Sequence, residues 1–180
     1  GQDVVDSIAQ NDVIKSIEII RVGKEAESFQ TDQEAFDQIQ EKRKTAQGHS
    51  ASKEKEATIR MIKKRWPDFH FSHSGLYWVV NKEGTGDKPA QGTMISVHYT
   101  GRLLANDKKF DSSYDRGEPI QFAVGTGRVI KGWDQALANM RKGEKRTLII
   151  PPGLAYGSQG AGGVIPPDAW LIFDVELVDF

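Results

Sequence analysis

The stretch Ile95-Ser-Val-His-Tyr99 decides the fold, because its apolar and polar residues alternate with a period of two. The segment Leu171-Ile-Phe-Asp-Val-Glu-Leu177 repeats this pattern, and shorter pieces of it occur at 148–150 and 77–79. Such alternation is typical of antiparallel strands with one buried face. We therefore predict an α+β fold, in which a curved antiparallel sheet of about five strands wraps around one short helix.

The segment 132–140 carries the pattern of that helix. Trp133, Leu137 and Met140 recur at helical spacing, and Gly143 follows as a terminator. Before residue 74 the chain is poor in glycine and proline and rich in charge, which favours helices. The composition thus predicts a mainly helical N-terminal segment over 1–73 and a second domain over 74–180.

The N-terminal segment contains three predicted elements. One helix begins near Ser50 or Ser52, ends before Pro67, and carries Ile59, Ile62 and Trp66 on one face. A second helix is predicted over 25–46, and Ser16-Ile-Glu-Ile-Ile-Arg-Val22 has the pattern of a strand.

Charge and cysteine content exclude several functions. The net charge of −1 gives no general attraction to nucleic acid or to an anionic membrane, so we expect neither as a partner. Without cysteine there is no disulfide or thiolate chemistry, which is compatible with the cytoplasm or the periplasm; we expect the cytoplasm. Because the chain begins at Gly1 rather than Met, we expect it to be part of a longer polypeptide.

Three local patterns suggest other chemistries but have simpler explanations. His70 and His73 lack further ligands nearby, so we expect an exposed pair and no metal site. The glycine-rich segment 157–163 lacks the Gly-Lys-Ser/Thr ending of a phosphate-binding loop. The basic cluster 60–65 is better explained as cations at a helix C-terminus than as a nucleic-acid contact. We expect no cofactor.

Five motifs in the second half point to one family. They are Tyr99-Thr-Gly, Phe110-Asp-Ser-Ser, Val129-Ile-Lys-Gly-Trp133, Ala155-Tyr-Gly and Phe173-Asp-Val-Glu-Leu. In this order, over about residues 75–180, they resemble the FKBP family of prolyl isomerases. The resemblance implies an enzyme that isomerises X–Pro bonds non-covalently in peptides and unfolded proteins, assists folding, needs no cofactor and binds macrolides of the rapamycin class.

The resemblance also assigns residues to an apolar pocket. It implies a catalytic set of Tyr99, Phe110, Asp111, Trp133, Tyr156 and Phe173. It implies a substrate-binding set of Arg116, Ile120, Phe122, Val129, Ile130, Val164 and Ile165. Within these sets Trp133 is the floor, Arg116 is the partner of Asp111, and Tyr156 and the backbone N–H of Ile130 bind ligand carbonyls. Arg128 replaces a frequent acidic residue at the rim, which leaves the sequence preference open.

Each of these residues also has a purely structural explanation. Trp133, Tyr99 and Phe173 lie at positions where core residues are common, and Asp111 before two serines is compatible with a turn. A rival function is a proline-binding adaptor or holdase with little turnover. Retention of the aromatic motifs argues against it, because degenerate members of the family tend to lose them.

The first residues resemble a second family. Gly1-Gln-Asp-Val-Val-Asp-Ser-Ile and Asp12–Ile20 are similar to the last helix and strand of a cyclophilin domain. This resemblance implies that 1–22 is the remnant of a dual cyclophilin–FKBP protein. The alternative is that 1–70 forms a complete accessory unit for self-association or client capture.

Overall fold

The computed structural model describes the backbone of residues 33–180 and the side chains of 37–38, 40–41 and 52–180; the described chain begins with one long helix, α1 (Gln33–Arg65). The sequence predicts two helices here, and the predicted break between 46 and 50 is wrong. Gly48 lowers helix propensity by about 1 kcal/mol but keeps its backbone hydrogen bonds, so the helix continues. It ends before Pro67 as predicted. The predicted strand 16–22 and the cyclophilin-like residues 1–22 lie outside the described residues.

Seven strands form one antiparallel sheet, so the prediction of about five is too low. The strands are β1 (His70–Phe71), β2 (Tyr77–Lys82), β3 (Met94–Leu103), β4 (Lys109–Ser112), β5 (Ile120–Ala123), β6 (Lys145–Ile150) and β7 (Leu171–Asp179). Their order is β1-β2-β6-β7-β3-β4, and β5 also pairs with β3. β5 uses the first half of β3 and β4 the second half. Strands of two to four residues are too short to show alternation, which explains the low prediction.

The second helix, α2 (Lys131–Leu137), is shorter than the predicted 132–140. After Leu137 the chain continues in tight turns, with the Met140 N–H donating to the Leu137 carbonyl at 3.2 Å. Trp133, Leu137 and Met140 are all buried, as their spacing predicts. This helix packs its buried face into the main hydrophobic core on one side of the sheet, together with Val97 and Phe173.

The opposite face of the sheet is also covered. Ile62 and Trp66, at the end of α1 and just after it, pack against Leu104, Ile149 and Ile172. The expectation of one buried face is therefore wrong, because it takes no account of a helix end lying over the sheet. This cover explains why β6 and β7 carry consecutive apolar residues where strict alternation places polar ones.

The chain divides into two compact units, Gly1–Glu56 and Ala57–Phe180. The sequence places its division later, at 73/74; the last turns of α1 belong to the second unit. Within that unit Arg65 forms a forked ion pair with Asp107, at 2.8 and 2.9 Å. Neither α1 nor α2 combines the length and apolar character needed to cross a bilayer.

Candidate active site

A cavity of about 420 Å³ opens on the side of the sheet that carries α2. Its lining comes from four strands, from α2 and from two loops. The lining residues are Tyr99, Phe110, Asp111, Ile120, Arg128, Val129, Ile130, Trp133, Tyr156 and Phe173. All except Arg128 belong to the predicted site. The volume is typical of a small-ligand pocket.

Packed aromatic rings form the inner wall of the cavity. The Trp133 indole is only 4% exposed, and it meets Tyr99 edge-to-face at 4.9 Å and Phe173 at 5.1 Å between ring centroids. Phe110 meets Phe173 in the same way at 5.6 Å. Edge-to-face contacts of this kind favour one relative orientation of the rings. The cavity therefore has a base of packed aromatic rings centred on Trp133.

Gly101 on β3 allows two of these rings to meet. It pairs with Asp111 of β4 and Phe173 of β7, so it lies between the strands that carry the wall. A Cβ at this position would lie 2.7 Å from ring atoms of both Phe110 and Phe173. Any larger residue would displace the rings, which gives the glycine of the Tyr99-Thr-Gly motif a packing role.

A polar cluster borders the aromatic wall. The Tyr99 hydroxyl donates to Oδ2 of Asp111 and accepts a hydrogen bond from Nη2 of Arg116 at 2.7 Å. Arg116 also forms an ion pair with Oδ1 of Asp111 at 2.6 Å. Partial burial acts to raise the pKa of Asp111, but the hydrogen bonds from Tyr99 and Arg116 outweigh it, so this pKa lies below its usual range. Asp111 is thus an engaged carboxylate at neutral pH.

The two serines after Asp111 hold the backbone of Tyr99. The Ser113 hydroxyl accepts from the Tyr99 N–H at 2.8 Å, and the Ser112 hydroxyl donates to the Tyr99 carbonyl at 3.0 Å. Both serines are buried. The Phe110-Asp-Ser-Ser motif therefore has two roles: its first two residues line the cavity, and its two serines hold the backbone of Tyr99.

Two donors at the cavity are free to bind a ligand carbonyl. Neither the Tyr156 hydroxyl nor the Ile130 N–H donates to any acceptor in the part of the chain that the structure describes. Burial and the nearby Asp111 charge raise the pKa of Tyr156, so its hydroxyl keeps its proton. Both residues line the cavity, and Tyr156 is 40% exposed.

The comparisons with known proteins agree on one family. The profile of the FKBP-type peptidyl-prolyl cis-trans isomerase family matches residues 86–178. The chain belongs to this family. It is therefore a peptidyl-prolyl cis-trans isomerase of the FKBP type.

Individual relatives are similar over the same part of the chain. FK506-binding protein 2 of Candida glabrata is 66% identical over 92 residues, which cover 51% of this chain and 68% of the relative. Peptidyl-prolyl cis-trans isomerase FPR2 of Saccharomyces cerevisiae is 62% identical with the same coverage. The crystal structure of AtFKBP13 aligns with a TM-score of 0.59 at 46% identity, and covers 62% of this chain and 97% of that one.

Four of the residues predicted for the FKBP-type site do not line the cavity. Arg116 acts through Asp111 and Tyr99, and Phe122 lies behind the wall, 6.0 Å from the Trp133 ring. Ala161 and Ile165 pair through two backbone hydrogen bonds, which turn Ile165 into the core and leave Val164 half exposed at the tip of the turn. The predicted apolar lip of Val164 and Ile165 is therefore absent from the lining.

Sequence reasoning missed two residues of the site. Arg128 lines the cavity; the sequence places it at the rim, as a departure from the family pattern, but outside the predicted catalytic and substrate-binding sets. Asp134 of α2 accepts hydrogen bonds from the N–H groups of Gly125 and Gly127, at 2.9 and 2.8 Å. It anchors the loop that carries Arg128, Val129 and Ile130. Gly125 and Gly127 precede that loop segment, and glycines at this spacing are the sequence signal for a tight loop that a side chain can hold by hydrogen bonds.

The chemistry available to this FKBP-type cavity is non-covalent. Burial, with the hydrogen bond to Asp111, raises the pKa of Tyr99, so the phenols that line the cavity stay protonated, and the Asp111 carboxylate is paired. Among the side chains that the structure describes, no group of three or more His, Asp or Glu residues is arranged to hold a metal ion. What remains is an apolar cavity with an aromatic base and hydrogen-bond donors at its edge.

Proposed function

We propose that this cavity is where the isomerase acts, and that it catalyses X–Pro rotation without forming a covalent bond to the substrate. The barrier to peptide bond rotation is about 18–20 kcal/mol, because the planar amide is resonance-stabilised. At the twisted geometry the resonance and part of the charge separation are lost. A water-poor apolar cavity therefore favours the twisted amide over the planar one, which is preferential binding of the transition state.

Each lining group has a role in this mechanism. Trp133 is the floor for the proline ring, and the other apolar side chains are its walls. The Tyr156 hydroxyl and the Ile130 N–H hold substrate carbonyls. Asp111 positions the Tyr99 ring and forms the polar edge. The observation that carries the assignment is the shared 420 Å³ cavity, with the Trp133, Tyr99 and Phe173 rings in mutual contact on its wall.

A protease-coupled assay on an X–Pro peptide tests this proposal. The protein should accelerate cis-to-trans conversion, and Trp133→Leu should lower the acceleration. Peptide binding without any acceleration would contradict the proposal and support the adaptor function instead.

We propose proline-containing peptides and unfolded proteins as substrates, and macrolides of the rapamycin and FK506 class as ligands. The names of the relatives support the macrolides, since several are FK506-binding proteins. The apolar aromatic lining supports both the proline-containing substrates and the macrolides, because both kinds of ligand present a ring next to carbonyl groups. Competition between a macrolide and a proline peptide in the assay tests the shared site, and acceleration of a proline-limited refolding reaction tests the role in folding.

The role of the N-terminal residues is a separate proposal. The comparisons support the FKBP-type domain and give no support to the cyclophilin remnant at 1–22, which stays a prediction, as do the division at 73/74 and the cytoplasmic location. Self-association through 1–70 is tested by light scattering on chains 1–180 and 57–180. The shorter chain starts at Ala57 so that Ile62 and Trp66 still cover Ile149 and Ile172. A mass difference no greater than the deleted residues would contradict self-association.

A further inference from the structure

Arg128 is a cation without a partner on the wall of the cavity. It lines the cavity and is exposed, and among the described side chains and backbone groups its guanidinium has no ion-pair or hydrogen-bond partner. Asp111, the other ionised side chain of the lining, is already paired with Arg116 at 2.6 Å. A guanidinium in this state is available to a carboxylate of the ligand, which it binds through two parallel N–H donors.

The backbone around Arg128 holds this charge next to the apolar wall. Asp134 anchors the preceding loop through the N–H groups of Gly125 and Gly127. Directly after Arg128 come Val129 and Ile130, which line the cavity. A substrate in contact with that wall therefore passes within reach of the Arg128 side chain.

The remaining charges near this loop do not cancel the guanidinium. Lys131 is exposed and adds a second positive charge directly after the lining residues. The nearest carboxylate in sequence, Asp134, has both oxygens hydrogen-bonded to backbone N–H groups of the loop. This rim thus presents a positive charge beside an apolar wall.

We propose that Arg128 selects X–Pro substrates that carry an Asp or Glu side chain flanking the X–Pro pair. The inference rests on the proposed function of the cavity and names its preferred substrate class. An exposed ion pair corresponds to about a 1.5- to fivefold preference. Salt lowers the preference, because the screening length falls from about 10 Å at 0.1 M to about 3 Å at 1 M.

Two matched pairs of blocked peptides test the proposal. Glu-Leu-Pro-Ala is compared with Gln-Leu-Pro-Ala, and Ala-Leu-Pro-Glu with Ala-Leu-Pro-Gln, so that leucine always precedes proline and only the charge changes. For each peptide kcat/KM is measured by NMR exchange, which needs no coupling protease. The wild-type protein should prefer Glu over Gln about 1.5- to fivefold in one of the pairs, and the preference should disappear at 1 M salt.

Three variants assign the preference to Arg128. Arg128→Gln should bring the Glu-to-Gln ratio to about one. Arg128→Glu should reverse the selectivity in favour of a lysine peptide of the same series. Lys63→Gln removes the same charge from an exposed position on α1, and it should keep the wild-type ratio. Because each variant is judged by a ratio, a change in its overall activity does not affect the comparison.

The outcomes separate this inference from the proposed function. The role of Arg128 would be overturned if the protein accelerates all four peptides with a Glu-to-Gln ratio of kcat/KM near one in both pairs. It would also be overturned if Arg128→Gln leaves this ratio unchanged. Either result would leave the isomerase assignment intact. If the protein accelerates none of the peptides, the function assigned to the cavity fails. In that case the dissociation constants of the Glu and Gln peptides test the role of Arg128 separately. Tighter binding of the Glu peptide that is lost in Arg128→Gln supports the role, and equal binding overturns it.

Discussion

Replacement of Trp133 by leucine separates the catalytic role of the indole from its role in the core. The ring packs edge-to-face against Tyr99 and Phe173, and each such contact contributes about 0.5–1.5 kcal/mol beyond burial. Its buried N–H makes no hydrogen bond within the described residues, so packing alone is lost. Leucine refills part of the space, and we expect a loss of about 2–4 kcal/mol in the free energy of unfolding. A domain with about 5–15 kcal/mol of stability remains folded.

The loss of activity can be estimated from the contact between the indole and the proline ring. Burial of a side chain the size of valine or leucine contributes about 1.5–3 kcal/mol, and the indole covers one of the two faces of a ring of that size. Loss of this floor removes about half of the contribution, about 0.8–1.5 kcal/mol. This corresponds to a decrease in kcat/KM of about four- to twelvefold. Kinetics by the protease-coupled assay and unfolding by urea measure the two effects on the same sample.

Leu137→Ala is the matched control. Leu137 lies on the same helix and is fully buried, but it is absent from the lining of the cavity. Its truncation should cost about 2–5 kcal/mol of stability and leave kcat/KM nearly unchanged while the protein is folded. Equal losses of kcat/KM in the two variants would refute the role of the indole, because activity would then follow stability alone.

Four further predictions concern residues around the cavity and on the opposite face of the sheet. Asp111→Ala should lower kcat about tenfold, because the Tyr99 ring is no longer positioned. The unfolding midpoint should change little, since the ion pair with Arg116 is half exposed. An unchanged kcat would contradict this prediction. Because the pKa of Asp111 lies below its usual range, the carboxylate stays ionised in the folded protein until the pH falls below about 4, so a decline in kcat that starts near pH 6 would argue against its role. Gly101→Ala should lower the free energy of unfolding by about 1–3 kcal/mol and weaken macrolide binding, because the new methyl group displaces Phe110 and Phe173. Wild-type stability of this variant in calorimetry would exclude the clash. Ile62→Ala should cost about 2–5 kcal/mol in chemical denaturation with kcat/KM preserved, and a cost below about 1 kcal/mol would show that α1 contributes little to the sheet.

The longest strands of the sheet were predictable from the sequence. The packing of the end of α1 against the face of the sheet opposite α2 was not. β3 and β7 alternate over enough residues for their buried positions to be identified. Ile149 and Ile172 break the pattern, and their packing with Ile62 and Trp66, at the end of α1 and just after it, explains why both are buried. A contact between residues about 90–110 positions apart leaves no periodic signal in either segment.

The candidate site was predictable mainly through the family motifs. Taken alone, Trp133 is more readily explained as a core residue than as a site residue, and the structure shows that it is both buried and part of the lining. Positions that depend on tertiary geometry were not predictable. The anchor at Asp134 requires that α2 folds back on the loop before it, and Ile165 turns inward because of its pairing with Ala161.

NMR exchange spectroscopy of a leucine–proline peptide with catalytic amounts of the protein tests the central claim most directly. The same sample reports the rate of cis/trans exchange and, by chemical-shift changes, the place of binding. We predict faster exchange together with shifts at the Trp133 indole and the Tyr99 and Phe173 rings. Faster exchange with shifts confined to another surface, or binding at these rings without faster exchange, would contradict the account.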